Sequence, residues 1–219
     1  MFQLRYPAGS VNPGSDPQGG ADFYAVPPSL KSILPAARNV TLEYSVYFPE
    51  DFDWVKGGKL PGLYGGHESC SGGDDAESCF STRMMWRPGG EGEIYLYAPR
   101  DKQASNVCAT PPKTVCDSVY GMSLGRGSFA FALGGWTRIT QTVVLNTPGS
   151  PDGSLDLDVN GQRVMSVQGV YYRNAPSAST PQNASCWIHS TFFGGHEQDY
   201  ATPKDQFTYF GDFVMTVNS

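Results

Sequence analysis

The stretch CFSTRMMWRPGGEGEIYLYAP, from Cys79 to Pro99, decides the fold. Two runs of alternating side chains flank a glycine-rich segment, and this pattern predicts a β-hairpin. Residues two apart in a strand share a face. One face of the hairpin therefore carries apolar side chains that are predicted to enter the core, namely Met84, Trp86, Ile94 and Leu96.

The opposite face of the same hairpin is polar and aromatic. It carries Ser81, Arg83 and Arg87 on the first strand, and Glu93, Tyr95 and Tyr97 on the second. A turn centred near Gly90 predicts that Arg87 lies opposite Glu93 and that Arg83 lies opposite Tyr97. A β-bulge in the glycine-rich turn would shift this register.

The rest of the chain indicates an all-β protein. Further strands are predicted at 40–48, at 128–133 paired with 136–146, on both sides of Asn160-Gly161, and at 207–218. About ten short strands in a chain of 219 residues with 26 glycines predict a β-jelly roll of two curved antiparallel sheets with a concave groove. Residues 1–30 are interpreted as an irregular N-terminal arm, and residues 31–219 as a single jelly-roll domain.

The composition limits the partners of the protein. The formal net charge of −6 argues against a general nucleic-acid or anionic-membrane surface, and no apolar run is long enough to span a membrane. A local basic cleft is still compatible with this charge. We expect a monomer.

Five cysteines are present, and four of them form two close pairs in loop-like stretches. Disulfides Cys70–Cys79 and Cys108–Cys116 are the favoured interpretation. A zinc site is the alternative, but the spacing does not match the usual ligand pattern. Cys186 is left over and is expected to be a buried free thiol.

The cysteines also favour secretion. Two sequons begin at Asn39 and Asn183 and would permit N-glycosylation in a secreted eukaryotic protein. The segment after Met1 lacks the hydrophobic core of a signal peptide. We therefore expect the mature part of an extracellular protein.

The polar face of the hairpin suggests a class of reaction on an acidic sugar. Fixed guanidinium groups recognise carboxylates, while tyrosines stack on sugars and transfer protons. Glycoside hydrolysis needs two facing carboxylates, and only Glu93 is well placed, with Glu43 a distant second. β-Elimination at a uronic acid instead needs a group that neutralises the carboxylate, a base at C5 and an acid at the glycosidic oxygen.

Several motifs resemble polysaccharide lyase family 14. They are GGKLPGLYGG, CFSTRMMWR followed by GEIYLYAP, WTRITQTVVLN, DGSLDLDVNG and STFFGG, and the resemblance covers about residues 40–217. The family includes alginate lyases and glucuronan lyases built on a β-jelly roll. The resemblance implies cleavage of a β-1,4-linked polyuronate by β-elimination, which leaves an unsaturated uronate at the new non-reducing end. The resemblance assigns the catalytic positions to Lys59, Ser81, Arg83, Tyr95 and Tyr97. No motif in the sequence calls for a cofactor or a metal, and none is expected.

We expect Arg83, assisted by Arg87, to bind the substrate carboxylate. Neighbouring positive charge favours a phenolate, so a tyrosine is the preferred base, with Lys59 assisting. Further substrate-binding candidates are Arg87, His67, Glu93 and Gln141. A metal site built from the three histidines His67, His189 and His196 has no motif behind it.

Two alternatives differ from an enzyme of this kind. A non-catalytic carbohydrate-binding module for acidic polysaccharides would use the arginines and tyrosines for binding alone, but it would not need Lys59 as well. A jelly-roll glycoside hydrolase ranks last. Glucuronan and mannuronate-rich alginate differ at C2, which nothing in the sequence reads, and the expected eukaryotic secretion tilts the substrate weakly to glucuronan.

Overall fold

The protein is a sandwich of two antiparallel sheets. The computed structural model describes residues 1–66, 70–175, 184–195 and 197–219, and for 184–187 it describes the backbone alone. These residues form thirteen strands and six short 3₁₀ helices. The helices are Pro28–Leu30, Leu34–Ala36, Pro88–Gly90, Arg100–Lys102, Val107–Ala109 and Gln198–Tyr200.

The back sheet has six strands. In spatial order they are β1 (Phe2–Tyr6), β13 (Gln206–Val217), β3 (Asn39–Phe48), β9 (Gly135–Val144), β10 (Gly153–Val159) and β11 (Gln162–Val170).

The front sheet has seven strands. Six follow one another in the order β2 (Ala21–Ala25), β12 (Ala184–Phe193), β4 (Gly58–Leu60), β6 (Cys79–Trp86), β7 (Glu91–Tyr97) and β8 (Met122–Ala130). The seventh, β5 (Gly62–Gly66), pairs with β12 and β6.

The core lies between the two sheets. The inner face of β3 contributes Leu42, Val46 and Phe48, all fully buried. The Phe48 ring lies 5.7 Å from the ring of Trp86 on the front sheet. As predicted, the apolar set of the hairpin enters this core, since Met84, Trp86, Ile94 and Leu96 are all fully buried. Because the core takes one face of each strand, the other face of the front sheet is free to build a site.

The predicted hairpin exists, but its register differs from the prediction. Arg83 pairs with Tyr95, and Ser81 pairs with Tyr97. The Arg87 N–H donates to the carbonyl of Glu91 at 2.8 Å, so the turn is centred one residue earlier than Gly90. The resulting shift is two residues along one strand, and it leaves every side chain on its predicted face.

The other predicted hairpins had different outcomes. The turn at Asn160-Gly161 joins β10 to β11, and both residues have positive φ (51° and 79°), as a type I′ turn requires. The predicted pairing of 128–133 with 136–146 is wrong. Strand β8 pairs with β7 in the front sheet, whereas β9 lies in the back sheet, so this connection crosses between the sheets.

The N-terminal segment is not the irregular arm that the sequence suggested. Strand β1 pairs with β13 at the edge of the back sheet, and β2 pairs with β12 at the edge of the front sheet. The polar composition hid these strands, since each is short and has a pairing partner far away in the chain.

Both predicted disulfides are present. Cys70–Cys79 and Cys108–Cys116 each have a Cα–Cα distance of 5.8 Å. Asn183 and the side chain of Cys186 lie outside the described residues. Within the described ranges, no helix combines the length and the apolar character that a membrane span requires.

Candidate active site

A groove of about 650 Å³ lies on the outer face of the front sheet. Its floor is built by β4, β6 and β7, which contribute Lys59, Arg83, Met85, Tyr95 and Tyr97. Loops form its walls, and among the wall residues are Asn12, Pro13, Gly72, Tyr120, Glu197 and Tyr200. The groove therefore coincides with the polar face of the hairpin.

Lys59 is a buried amine that forms no ion pair with any acidic residue that the structure describes. Its side chain is held on β4 opposite Met85 of β6, and only 8% of the residue is exposed. Its Nζ donates to the Met85 Sδ at 2.9 Å and lies 3.9 Å from the centre of the Tyr95 ring. Burial, together with the charges of Arg83 and Arg87, holds the pKa of Lys59 well below its usual 10.5. Lys59 can therefore carry a free lone pair at a pH where an ordinary lysine is protonated.

Arg83 is a buried guanidinium that keeps hydrogen-bond donors available for a ligand. It is 2% exposed, and it donates to the Cys70 carbonyl at 3.3 Å and to the Ser190 Oγ at 3.4 Å. Its Nε has no hydrogen-bond partner in the part of the chain that the structure describes. Among the described residues, Arg83 forms no ion pair, so this guanidinium is prepared to receive a carboxylate from outside.

Tyr95 and Tyr97 stand side by side on β7. Their ring centres are 5.8 Å apart, and the rings are tilted by 70°. Burial raises the pKa of Tyr95, and the effect outweighs the lowering by Arg87 and Arg83. This shift favours the protonated phenol of Tyr95, and the sequence-based preference for a tyrosine base stays a prediction.

Ser81 lies on the same face of β6 as Arg83, beneath the loop that carries Cys70. It is fully buried, and its hydroxyl donates to the Cys70 carbonyl at 3.3 Å. Ser81 does not line the groove. The structure thus places Ser81 beside Arg83 but gives it no direct access to a bound polymer.

Glu93 does not contact the groove, which corrects its prediction as a substrate-binding residue. Its carboxylate is fully buried, and one oxygen accepts from Arg87 at 2.5 Å. The other oxygen accepts from Ser123 at 2.6 Å and from Arg126 at 2.7 Å. Glu93 therefore holds Arg87, which does line the groove, with its guanidinium carbon 5.9 Å from the Tyr95 ring centre.

Gln141 lies in the core, so its prediction as a substrate-binding residue is wrong. Its side chain points from β9 towards the front sheet, where it accepts from the Thr82 hydroxyl at 2.6 Å. It also donates to the Thr82 carbonyl at 2.8 Å. This pair of hydrogen bonds joins the two sheets across the sandwich.

No histidine lines the groove among the residues that the structure describes. His67 and His196 lie outside the described residues. His189 is fully buried and stacks on Phe23 at 4.8 Å. Where the structure describes side chains, the one candidate metal cluster is Cys70, Asp74 and Cys79, and both of its sulfurs are already joined in a disulfide.

Sequence reasoning missed the walls of the groove. Asp22 lies in β2, next to Ser190 of β12, and it faces the same groove as Arg83. Asn12 and Tyr120 approach from loops. No local signal marks these residues, since the strands and loops that carry them are placed by pairing with distant parts of the chain.

A jelly roll whose groove combines a buried amine, a free guanidinium and two phenols is suited to remove a proton next to a carboxylate. The model of the polysaccharide lyase 14 family matches residues 1–213, and the chain belongs to this family.

Solved structures of related proteins support this assignment. An alginate lyase of the same family from Aplysia kurodai is 36% identical, with a TM-score of 0.83 over 98% of this chain and 82% of that one. An alginate lyase from Chlorella virus is 27% identical, with a TM-score of 0.78 over 98% and 84% of the two chains.

Two further proteins are more distant. An endo-β-1,4-glucuronan lyase from Trichoderma reesei shares the fold at 8% identity and a TM-score of 0.58, over 99% of this chain and 79% of that one. Exolysin of Paramecium bursaria Chlorella virus 1 is 25% identical over 206 residues, which cover 84% of this chain. The chain spans 30% of the length of that curated relative.

Proposed function

We propose that this protein is a lyase that cleaves β-1,4-linked polyuronate by β-elimination and leaves an unsaturated uronate at the new non-reducing end. The observation that carries the proposal is the position of Lys59. Its amine is buried beside two cationic side chains and has no acidic partner among the described residues. Such an environment produces a neutral amine that can act as a base.

Each step has a group in the groove. The guanidinium of Arg83, with Arg87 nearby, neutralises the uronate carboxylate and stabilises the enolate-like charge that develops when the C5 proton leaves. Lys59 accepts that proton. Tyr95, whose pKa is raised by burial, stays protonated and donates to the departing glycosidic oxygen.

Mannuronate-rich alginate is the proposed substrate. The similar structures at 36% and 27% identity are alginate lyases, whereas the glucuronan lyase shares only the fold. The similarity to alginate lyases outweighs the weak preference for glucuronan that the sequence suggested. We also propose that the protein is secreted, since two disulfides fit an oxidising compartment.

The test is absorbance near 235 nm, where unsaturated uronates absorb, with polymannuronate, polyguluronate, glucuronan and a neutral glucan as substrates. We expect the fastest rise on polymannuronate, and no rise with Lys59→Ala. Lys113→Ala removes an exposed lysine outside the groove and serves as the matched control. Binding to a polyuronate without any rise in absorbance would overturn the proposal in favour of a carbohydrate-binding module.

A further inference from the structure

We propose that the loop closed by the Cys70–Cys79 disulfide is a positioning element of the groove, which holds Arg83 and Tyr97 in place through two of its backbone groups. This inference rests on the proposed function, because its effect is measured on the polyuronate reaction.

Two backbone groups of the loop contact the side chains of the groove floor. The Cys70 carbonyl accepts from the Arg83 guanidinium at 3.3 Å, and the Gly73 N–H donates to the Tyr97 hydroxyl at 3.3 Å. The Cys70 carbonyl also accepts from Ser81 at 3.3 Å. One short loop thus fixes both the carboxylate receptor and one of the two phenols.

The disulfide fixes the loop itself. Cys79 is fully buried at the start of β6, where it pairs with Gly66 of β5. Cys70 is 2% exposed and is tied to this strand by the S–S bond. Lys102 and Asn174 donate hydrogen bonds to Glu77 near the end of the loop. The hydrogen bonds from the Asp74 and Ala76 amides are local and do not link the loop to the sheet. The disulfide is therefore the covalent link that sets the Cys70 carbonyl over the sheet.

This arrangement gives Ser81 a role that does not need contact with the polymer. Ser81 is fully buried beneath the loop, and its hydroxyl shares the Cys70 carbonyl with Arg83. Ser81 is thus a positioning residue, which anchors the same carbonyl that orients the guanidinium.

The second disulfide is a matched control. Cys70–Cys79 and Cys108–Cys116 have sequence separations of 9 and 8, so their loss removes nearly the same restriction of the unfolded chain. In the described part of the chain, no residue from 108 to 116 lines the groove. A difference in activity between the two deletions consequently reports position rather than stability.

The experiment compares Cys70→Ala/Cys79→Ala with Cys108→Ala/Cys116→Ala, using KM and kcat on polymannuronate together with thermal unfolding. We expect similar decreases in Tm, but an increase in KM of about ten-fold in the first variant alone, because its carboxylate receptor is no longer oriented. A merely structural disulfide would reduce the fraction of active enzyme and leave KM unchanged. That result would overturn the proposal.

Ser81→Ala keeps both disulfides and covers the case in which the first variant does not fold. We expect an unchanged Tm within a few degrees and an increase in KM of about three-fold. An unchanged KM in this variant would then overturn the proposal. If the wild-type protein itself releases no unsaturated product, the proposed function fails instead, so the two failures are distinguishable.

Discussion

The basic side chains on the outer faces of the two sheets differ in exposure and in ion pairing. On the back sheet, Arg138 pairs with Glu43 at 2.5 Å, and Arg163 pairs with Asp158 at 2.6 Å, with both arginine side chains about half exposed. On the front sheet, Lys59 and Arg83 are almost fully buried, and among the described residues neither forms an ion pair.

The difference shows which charges the fold needs. An exposed ion pair is worth little and costs little, so the back sheet tolerates its charges without depending on them. A buried cation without a counterion is expensive, because its desolvation is not compensated. The front sheet retains one such cation, Arg83, and beside it the amine of Lys59, whose lowered pKa favours the neutral form. The proposed reaction provides the reason, since Arg83 receives the substrate carboxylate and Lys59 receives the C5 proton.

The largest expected effect is the loss of the buried amine. Lys59→Ala removes the proposed base, and we expect kcat/KM on polymannuronate to fall by about 10³-fold. Arg138→Ala makes the matching change on the back sheet and should leave the rate unchanged. A Lys59→Ala variant that kept one tenth of the activity would show that another group takes the proton.

The second comparison is between a fully buried carboxylate, Glu93, and a partly exposed one, Glu43. Glu93→Gln leaves Arg87 and Arg126 without their charged partner, and we expect the free energy of unfolding to fall by about 3 kcal/mol. Glu43→Gln breaks an ion pair whose arginine is mostly exposed to solvent, and it should leave the Tm nearly unchanged. Thermal unfolding of the two variants measures the difference.

The pH dependence of the Glu93 effect has a definite sign. Burial raises the pKa of Glu93, but the hydrogen bonds from Arg87 and Ser123 and the charges of Arg87 and Arg126 together outweigh it, so the pKa lies below the usual value. A carboxylate with a lowered pKa stabilises the fold above its unfolded pKa and loses this contribution as the pH falls through its folded pKa. The gap in Tm between wild type and Glu93→Gln should therefore narrow in acid, and a constant gap would contradict the ion-pair interpretation.

Arg83→Lys tests whether the front sheet needs a forked donor or only a charge. Lysine keeps the charge but cannot bind a carboxylate with two parallel hydrogen bonds, and we expect kcat/KM to fall by about 10²-fold. Arg163→Lys is the control on the back sheet. Equal rates for Arg83→Lys and wild type would show that Arg83 contributes only its positive charge and that its paired hydrogen bonds are not needed.

The smallest expected effect is a gain in stability. Lys59→Met replaces a buried amine by an apolar side chain beside Met85, and we expect the inactive variant to be more stable at neutral pH by about 1 kcal/mol. The folded state holds the pKa of Lys59 below its unfolded value, so wild-type stability rises with pH between the folded and unfolded pKa values. The advantage of Lys59→Met should shrink across that window, as chemical denaturation at several pH values would measure.

Much of the site could be predicted because alternation along a strand is a local property. The sequence alone assigned Arg83, Tyr95 and Tyr97 to one face, and a register error of two residues left them there. The resemblance to the family added Lys59, which lies on a strand of only three residues and gives no periodic signal.

Apart from the register of the β6–β7 hairpin and the placement of Glu93 on it, the failures of the sequence analysis involve long-range pairing. Strand β1 finds its partner in β13, and β8 and β9 separate into different sheets. The wrong prediction for Gln141 also has a long-range cause. A polar residue can occupy a core position when it forms hydrogen bonds with a residue of the opposite sheet, here Thr82. Such a partner cannot be recognised from the residues next to it in the chain.

The pairing of β1 with β13 has a consequence for synthesis on the ribosome. Phe2 pairs with Phe210, and Tyr6 pairs with Gln206, so β1 cannot join the sheet until β13 has been made. The two disulfides, by contrast, close over separations of 9 and 8 residues and can form early. The loop beside the groove is thus able to take its covalent form long before the sheet edges that complete the sandwich are paired.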